Sequence, residues 1–105
     1  MRVLLDACVP KGLRKSLSGH EVRTAHEMGW GDLDNGDLLD AMTGQFDVLV
    51  TVDKGLPRHQ QMAGRPLGVA VLRAKSNRLS DLLPLVPELL EVLSVLKPGS
   101  AVEIP

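Results

Sequence analysis

The sequence predicts an α/β fold, a three-layer α/β/α sandwich around a mainly parallel central sheet. Short apolar runs rich in β-branched residues alternate with segments whose apolar residues recur at helical spacing. The clearest run, Val48–Thr51, contains only apolar or β-branched residues, as expected of a strand that helices cover on both faces. The segments between the runs are long enough for the crossovers that parallel strands require.

Before the central strand, the first half of the chain is predicted to contain two strands and two helices. Arg2–Asp6 is the first strand, and Pro10 begins a helix whose apolar face carries Leu13 and Leu17. His20–Thr24 is predicted to be an edge strand because Val22 is its only large apolar residue. Ala25–Met28 is predicted to be one short helical turn.

The second predicted helix begins at Asn35, a residue type that commonly caps helices. Asp37 lies in its first turn, where the helix dipole favours a negative charge. The apolar stripe of this helix consists of Leu38, Leu39 and Met42. Gly44 follows the stripe and is expected to end the helix. The predicted central strand follows.

The second half of the chain continues the alternation. A short helix is predicted over Leu56–Met62 and a strand over Leu67–Leu72. Leucines at helical spacing then predict a long helical segment from Ser80, bent by its prolines and regular from about Pro87. Ala101–Ile104 is expected to be the last strand.

Composition places the chain among ordinary globular proteins with one core. It has 105 residues, 44% of them hydrophobic and 24% charged, which predicts a single domain over 1–105. Its only aromatic residues are Trp30 and Phe46. The core must therefore consist of leucine, valine and alanine, and recognition of nucleic-acid bases by aromatic stacking is nearly excluded.

Charge and cysteine content limit the partners and the compartment. A net charge of −1 gives no overall electrostatic case for nucleic acid, although Lys and Arg residues are concentrated in 2–23 and 57–78 and predict a basic face. Cys8 is the only cysteine and has no partner for an internal disulfide, which suits a reducing cytoplasm. No signal-type run and no membrane-length apolar stretch is found, so we expect a cytoplasmic protein without a membrane partner.

Two predicted strands run directly into an aspartate. Val3-Leu4-Leu5 leads into Asp6, and the central strand leads through Val52 into Asp53. Because open α/β sheets bind ligands beyond the carboxyl ends of their strands, both carboxylates are candidates for chemistry. Asp37 is a third candidate, although its place at a helix start explains it almost as well.

Carboxylates of this kind are the usual protein ligands of hard divalent cations. Mg²⁺ commonly takes one or two carboxylates together with water and phosphate oxygens. We therefore expect Asp6, Asp37 and Asp53 to hold Mg²⁺ or Mn²⁺, which would activate a water and stabilise a leaving oxygen. The alternative is that these acids only occupy strand ends and helix starts.

Polar and basic residues next to these positions are candidate substrate contacts. Lys54 and Arg58 closely follow Asp53 and are predicted to contact a scissile phosphate. A second group follows the Leu67–Leu72 strand at the same predicted edge and is expected to track an RNA backbone: Arg73, Lys75, Asn77 and Arg78. A solvated loop is the alternative interpretation for both groups.

The cysteine and histidines give weaker signals. Cys8 lies near the predicted site, but no His or Asn is placed in the sequence to activate its thiol, so we expect a small buried hydrophobic residue. His20, His26 and His59 lack zinc-ligand spacing with one another or with Cys8. A zinc site is therefore not expected.

Several segments resemble, in order and spacing, the small PIN-like domains of the DUF5615 group, which look like shortened relatives of VapC-type toxin ribonucleases. The matching segments cover the length of the chain: Val3–Asp6, Gly19–Val22, Asn35–Leu39, Val48–Asp53 and Pro98–Gly99. The resemblance implies a PIN-like domain with Mg²⁺- or Mn²⁺-dependent endoribonuclease activity. It places Asp6 and Asp53 at the family's metal-binding positions and implies the toxin of a type II toxin–antitoxin pair, with RNA as substrate and an antitoxin protein as partner.

Two departures from the family pattern support an alternative function. The family usually has an acid at the position of Asn35 and another directly after its first Asp, where this chain has Ala7. The alternative is a catalytically weakened PIN-like module that binds RNA or protein, with Asn35 as a cap or a substrate contact. A phosphoacceptor receiver domain is disfavoured because no Lys follows the last predicted strand. The leucine stripe of the last helix is expected to be core, with a homodimer interface as the alternative.

Overall fold

A five-stranded, entirely parallel sheet with helices on both faces forms the centre of the molecule. The computed structural model describes the whole chain except the side chain of His59. The predicted three-layer α/β/α architecture is confirmed. The sheet was predicted to be mainly parallel, and all four strand pairs are parallel.

Strands and helices alternate along the chain. The strands are β1 (Arg2–Leu5), β2 (Glu21–Thr24), β3 (Val48–Thr51), β4 (Gly68–Leu72) and β5 (Ala101–Ile104). The α-helices are α1 (Asn35–Met42), α2 (Leu56–His59), α3 (Leu79–Leu82) and α4 (Val86–Leu93), and two 3-10 helices cover Lys11–Ser16 and Leu83–Leu85.

The strand order β2-β1-β3-β4-β5 puts β1 and β3 side by side. In their register Leu4 pairs with Leu49 and Leu5 with Val50, so both strands end at the same edge. Asp6 continues this ladder by donating its backbone N–H to the Val50 carbonyl at 2.9 Å. The residues that follow β1 and β3 therefore start from neighbouring positions.

Alternating side chains of the sheet pack into two cores. Val48 and Val50 face the Lys11–Ser16 3-10 helix, α3 and α4, where Leu82, Leu89 and Leu93 are buried. Leu49 faces the opposite layer, which contains the buried side chains of α1 and Leu56 of α2. The central strands are buried on both faces, as the run Val48–Thr51 predicted.

The amino edge of the sheet is fixed by a pair of charged residues. The Asp47 carboxylate accepts the backbone N–H of Arg2 at 2.7 Å and pairs with its guanidinium at 3.2 Å. These contacts, the backbone N–H foremost, lower the pKa of Asp47 below its usual range. Asp47 thus ties β1 to β3 at the end opposite the candidate site.

Several predicted boundaries needed correction. The helix predicted from Pro10 is a 3-10 helix over Lys11–Ser16. The helix predicted over Leu56–Met62 ends at His59, because Gln60 adopts an extended backbone with φ −120° and ψ 139°. The predicted bend of the leucine-rich segment is confirmed: α3 and a 3-10 turn precede α4, which begins one residue before Pro87.

Candidate functional site

The site lies at the carboxyl edge of β1 and β3, where Thr51 joins the two predicted aspartates. The Thr51 hydroxyl donates to Asp6 Oδ2 at 2.7 Å and accepts the backbone N–H of Asp53 at 3.1 Å. Thr51 is fully buried. One buried hydroxyl therefore contacts the carboxylate of Asp6 and fixes the turn that carries Asp53.

The Asp6 carboxylate is held in a single orientation by three donors. Besides the Thr51 hydroxyl, Oδ1 accepts the N–H of Ala7 at 2.8 Å, and the Cys8 thiol lies 3.6 Å from Oδ2. The side chain is partly buried. An acidic group held in this way is pre-positioned at the edge rather than free in solvent.

Asp53 sits in a tight turn just beyond β3. Its Oδ1 accepts the N–H of Gly55 at 2.9 Å, and its Oδ2 accepts the side-chain amide of Asn35 at 3.2 Å. Asp53 is exposed, so the carboxylate stays accessible from solvent. The amide connects the beginning of α1 to the exit of β3.

The cap of α1 differs from the prediction. Asp34, not Asn35, is the N-cap, and its carboxylate accepts the N–H of Asp37 at 2.9 Å. Asn35 is the first helical residue and lies half-buried on the side of α1 that carries Leu38, Leu39 and Met42. Its side chain can therefore reach Asp53.

Asp37 does not join the two strand-end carboxylates. It is exposed and stands two residues after Asn35, and residues two apart on a helix do not face each other. Within the described part of the chain, no three His, Cys, Asp or Glu side chains form a group that could hold a metal ion. The structure thus links Asp6 through Thr51 to the turn that carries Asp53, and Asp53 to Asn35, but it does not assemble the predicted three-aspartate set.

The remaining donor set still suits a hard divalent cation. Asp6 and Asp53 supply carboxylate oxygens at one edge, and Mg²⁺ commonly uses one or two carboxylates completed by water and phosphate oxygens. Asn35 could add an amide oxygen if its side chain turned over. Two carboxylates match the chemistry of a cation whose coordination is completed by water and phosphate, not one enclosed by protein alone.

Cys8 closes the inner side of the site. Its thiol lies 3.6 Å from both Asp6 Oδ2 and the Thr51 hydroxyl and packs against the core. Burial, and secondarily the charge of Asp6, raises the pKa of this thiol above its usual value. A protonated thiol is a poor nucleophile, which agrees with the hydrophobic role predicted for Cys8.

Two of the predicted phosphate-contacting arginines share one carboxylate. Arg58 and Arg73 lie 3.7 Å and 3.5 Å from the carboxylate oxygens of Glu103 on β5. Both arginines remain well exposed, with 69% and 45% of their side-chain surface accessible. Exposed pairs of this kind are weak, so either guanidinium could exchange Glu103 for a phosphate.

The other predicted contacts differ in their surroundings. Lys54, Lys75 and Arg78 are exposed, and no ion pair joins them to a carboxylate in the described part of the chain. Asn77 donates its side-chain amide to the Cys8 carbonyl at 3.0 Å. This bond ties the loop after β4 to the loop after β1, so Asn77 has a structural contact as well as a predicted substrate contact.

Sequence reasoning missed the contributions of Thr51 and Glu103. Thr51 belongs to the predicted strand and to the Val48–Asp53 segment of the PIN-like resemblance, but neither assigns a role to its hydroxyl, which contacts the Asp6 carboxylate and the Asp53 N–H. The available signal was a hydroxyl two residues before Asp53 in a run otherwise apolar, since a buried hydroxyl needs a partner. No sequence signal pairs Glu103 with Arg58, because the contact depends on strand order.

Comparisons with protein-family models, curated proteins and solved structures found no match. No helix in the described part of the chain is long and apolar enough to cross a membrane.

Proposed function

We propose that the chain is a Mg²⁺- or Mn²⁺-dependent endoribonuclease whose site is the carboxyl edge of β1 and β3. The observation that carries this proposal is the link from Asp6 through Thr51 to Asp53, with 2.7 and 3.1 Å hydrogen bonds. Two acids at the ends of adjacent parallel strands occupy the position where open α/β sheets bind ligands. The PIN-like resemblance of the same residues supports the same activity.

Each residue of the site has a distinct role in this proposal. Asp6 and Asp53 hold the cation, and Thr51 and the Ala7 N–H orient the Asp6 carboxylate. When bound, the cation supplies an activated water and charge stabilisation for the leaving oxygen. Asn35 orients Asp53 through its side-chain amide. Asp37 is left outside this set because it lies away from Asn35 on α1.

The basic loops at the same edge support a phosphate-rich substrate. The exposed side chains of Lys54, Lys75 and Arg78 bind the RNA backbone, and Arg58 and Arg73 join them when they leave Glu103. The chain has only two aromatic residues, so binding depends on backbone charge rather than on base stacking. The substrate class is therefore RNA recognised with little sequence readout.

The resemblance extends the proposal to the cellular setting. We infer a cytoplasmic toxin paired with an antitoxin protein, a setting that also suits the single free thiol of Cys8. A short reading frame overlapping or adjoining the gene would support the antitoxin.

A second candidate function is an RNA- or protein-binding module with little catalysis. The observation that favours it is Asn35, a neutral amide that donates to Asp53 where a carboxylate would add a third charge. Ala7 likewise leaves no acid beside Asp6. The retained carboxylate pair at an accessible edge favours the nuclease.

The test is a cleavage assay with purified protein on structured and unstructured RNA, with Mn²⁺ and with EDTA. Asp6→Asn and Asp53→Asn are expected to lower the cleavage rate at least about a hundredfold, because each removes a ligand of a cation that supplies several kcal/mol. Asp37→Asn is the matched control and should cut at the wild-type rate.

Two results would oppose the proposal. Wild-type protein that binds RNA but leaves it intact after long incubation with Mn²⁺ would favour the binding module. Undiminished cutting by both Asp6→Asn and Asp53→Asn would remove the carboxylate pair from the mechanism.

A further inference from the structure

A basic cavity of about 650 Å³ lies at the carboxyl end of β2, between the Lys11–Ser16 3-10 helix and the loop that follows β2. It is separate from the residues assigned above to the RNA contact. Its volume falls within the range of small-molecule binding sites. The polar side chains that line it are Lys11, Arg14, Lys15, Thr24, His26 and Glu27.

The charge of this cavity is positive and incompletely paired. Three cationic side chains face one carboxylate, that of Glu27, which is already engaged by Arg14 and by the backbone N–H of Thr24 at 2.8 Å. Lys11 and Lys15 are exposed and form no ion pair with a described carboxylate. Their ammonium groups are free to bind an anion.

Arg14 adds a guanidinium to the lining of the cavity. Its side chain is 41% exposed, although the Nε atom itself is buried and does not face a ligand. The pairing with Glu27 fixes the orientation of the guanidinium. A phosphate oxygen is the acceptor that a fixed guanidinium binds best.

The position of the cavity relates it to the candidate active site. Strand β2 is the neighbour of β1 on the side away from β3, and Ala25 donates its N–H to the Leu5 carbonyl at 2.9 Å. Lys11 follows Asp6 by five residues, so their Cα atoms are at most about 17 Å apart. A short stretch of single-stranded RNA could therefore contact both the cavity and Asp6.

We propose that this cavity binds a backbone phosphate of the RNA strand, upstream or downstream of the cleaved bond, on the β2 side of Asp6. The proposal rests on the RNA substrate proposed above. The RNA strand then crosses the carboxyl edge of the sheet. It runs from the cavity at β2, past Asp6 and Asp53, to the basic loop after β4. Lys11, Arg14 and Lys15 are binding residues and do not touch the reacting atoms.

The test measures RNA binding without cleavage, by fluorescence anisotropy of a labelled single-stranded RNA in EDTA at several salt concentrations. The variant Lys11→Gln/Lys15→Gln leaves the Arg14–Glu27 pair intact, and both replaced side chains are exposed, so its thermal unfolding should match wild type. We expect affinity lower by about tenfold and a salt slope shallower by about 0.7, since the contact to the phosphate in the cavity is lost. Lys97→Gln, an exposed lysine just before β5 at the opposite edge, is the control and should bind like wild type.

The outcome separates this inference from the proposed nuclease activity. If the double variant binds RNA with the affinity and salt slope of wild type, the cavity is not a phosphate site, whatever the cleavage assay gives. If inorganic phosphate at millimolar concentration competes equally well with RNA for wild type and for the double variant, the cavity does not bind phosphate either. A loss of affinity confined to the double variant supports the cavity even if the protein cuts no RNA.

Discussion

At the scale of single residues, the hydroxyl of Thr51 determines the geometry of the candidate site. It is buried, donates to Asp6 Oδ2 and accepts the N–H of Asp53, so both its hydrogen and its oxygen have hydrogen-bond partners. Burying a hydroxyl is unfavourable unless it is paired. Its position is therefore consistent with a role in orienting the two acids and not only in filling the core.

Removing this hydroxyl should destabilise the fold. Thr51→Val keeps the shape of the side chain but leaves Asp6 Oδ2 and the Asp53 N–H without this partner. We expect the free energy of unfolding to fall by about 1–3 kcal/mol. Denaturant unfolding at neutral pH measures it, with Thr51→Ser as the variant that keeps the hydroxyl and should lose less. Equal stability of Thr51→Val and wild type would show that the two bonds are not formed.

At the scale of elements, the start of α1 determines which residue reaches the site. Asp34 caps the helix, which puts Asn35 in the first turn beside Asp53 and leaves Asp37 on an exposed side. Asp34 and Asn35 are both strong cap formers, so the sequence alone could not choose between them. If the N-cap moves by one residue, a different side chain of the first helical turn faces Asp53.

The cap can be tested by substitution. Asp34→Ala removes the acceptor for the Asp37 N–H and should lower the free energy of unfolding by about 1 kcal/mol. Asp34→Asn keeps an acceptor oxygen and should stay within a few tenths of a kcal/mol of wild type. Thermal or denaturant unfolding distinguishes them. Equal stability of Asp34→Ala and wild type would show that Asp34 does not cap α1.

At the scale of the whole molecule, the sequence predicts the layers better than the site. The apolar runs and their ends at Asp6 and Asp53 were sufficient to predict a parallel sheet with two acids at one edge. Hydrophobic periodicity does not determine the order of strands. The expectation that the strands ending in Asp6 and Asp53 are neighbours depends on the two acids instead, and the strand order confirms it. The end of α2 at His59 could not be predicted, because no breaker residue stands at Gln60.

The distribution of charge belongs to the same scale. The net charge is only −1, yet the carboxyl edge carries basic side chains on both sides of the acid pair. Overall charge therefore says little about whether a nucleic acid binds here, because local potentials steer a charged ligand. The acids at the centre and the bases around them form the arrangement from which both proposals follow.

The most direct test of the carboxylate pair as a cation site is thermal unfolding with and without Mn²⁺. A ligand that binds only the folded state raises the melting temperature with its concentration. The expected result is a rise for wild type and for Asp37→Asn, and no rise for Asp6→Asn or Asp53→Asn. A wild-type melting temperature that does not respond to millimolar Mn²⁺, or a response that survives in both Asp6→Asn and Asp53→Asn, would contradict it.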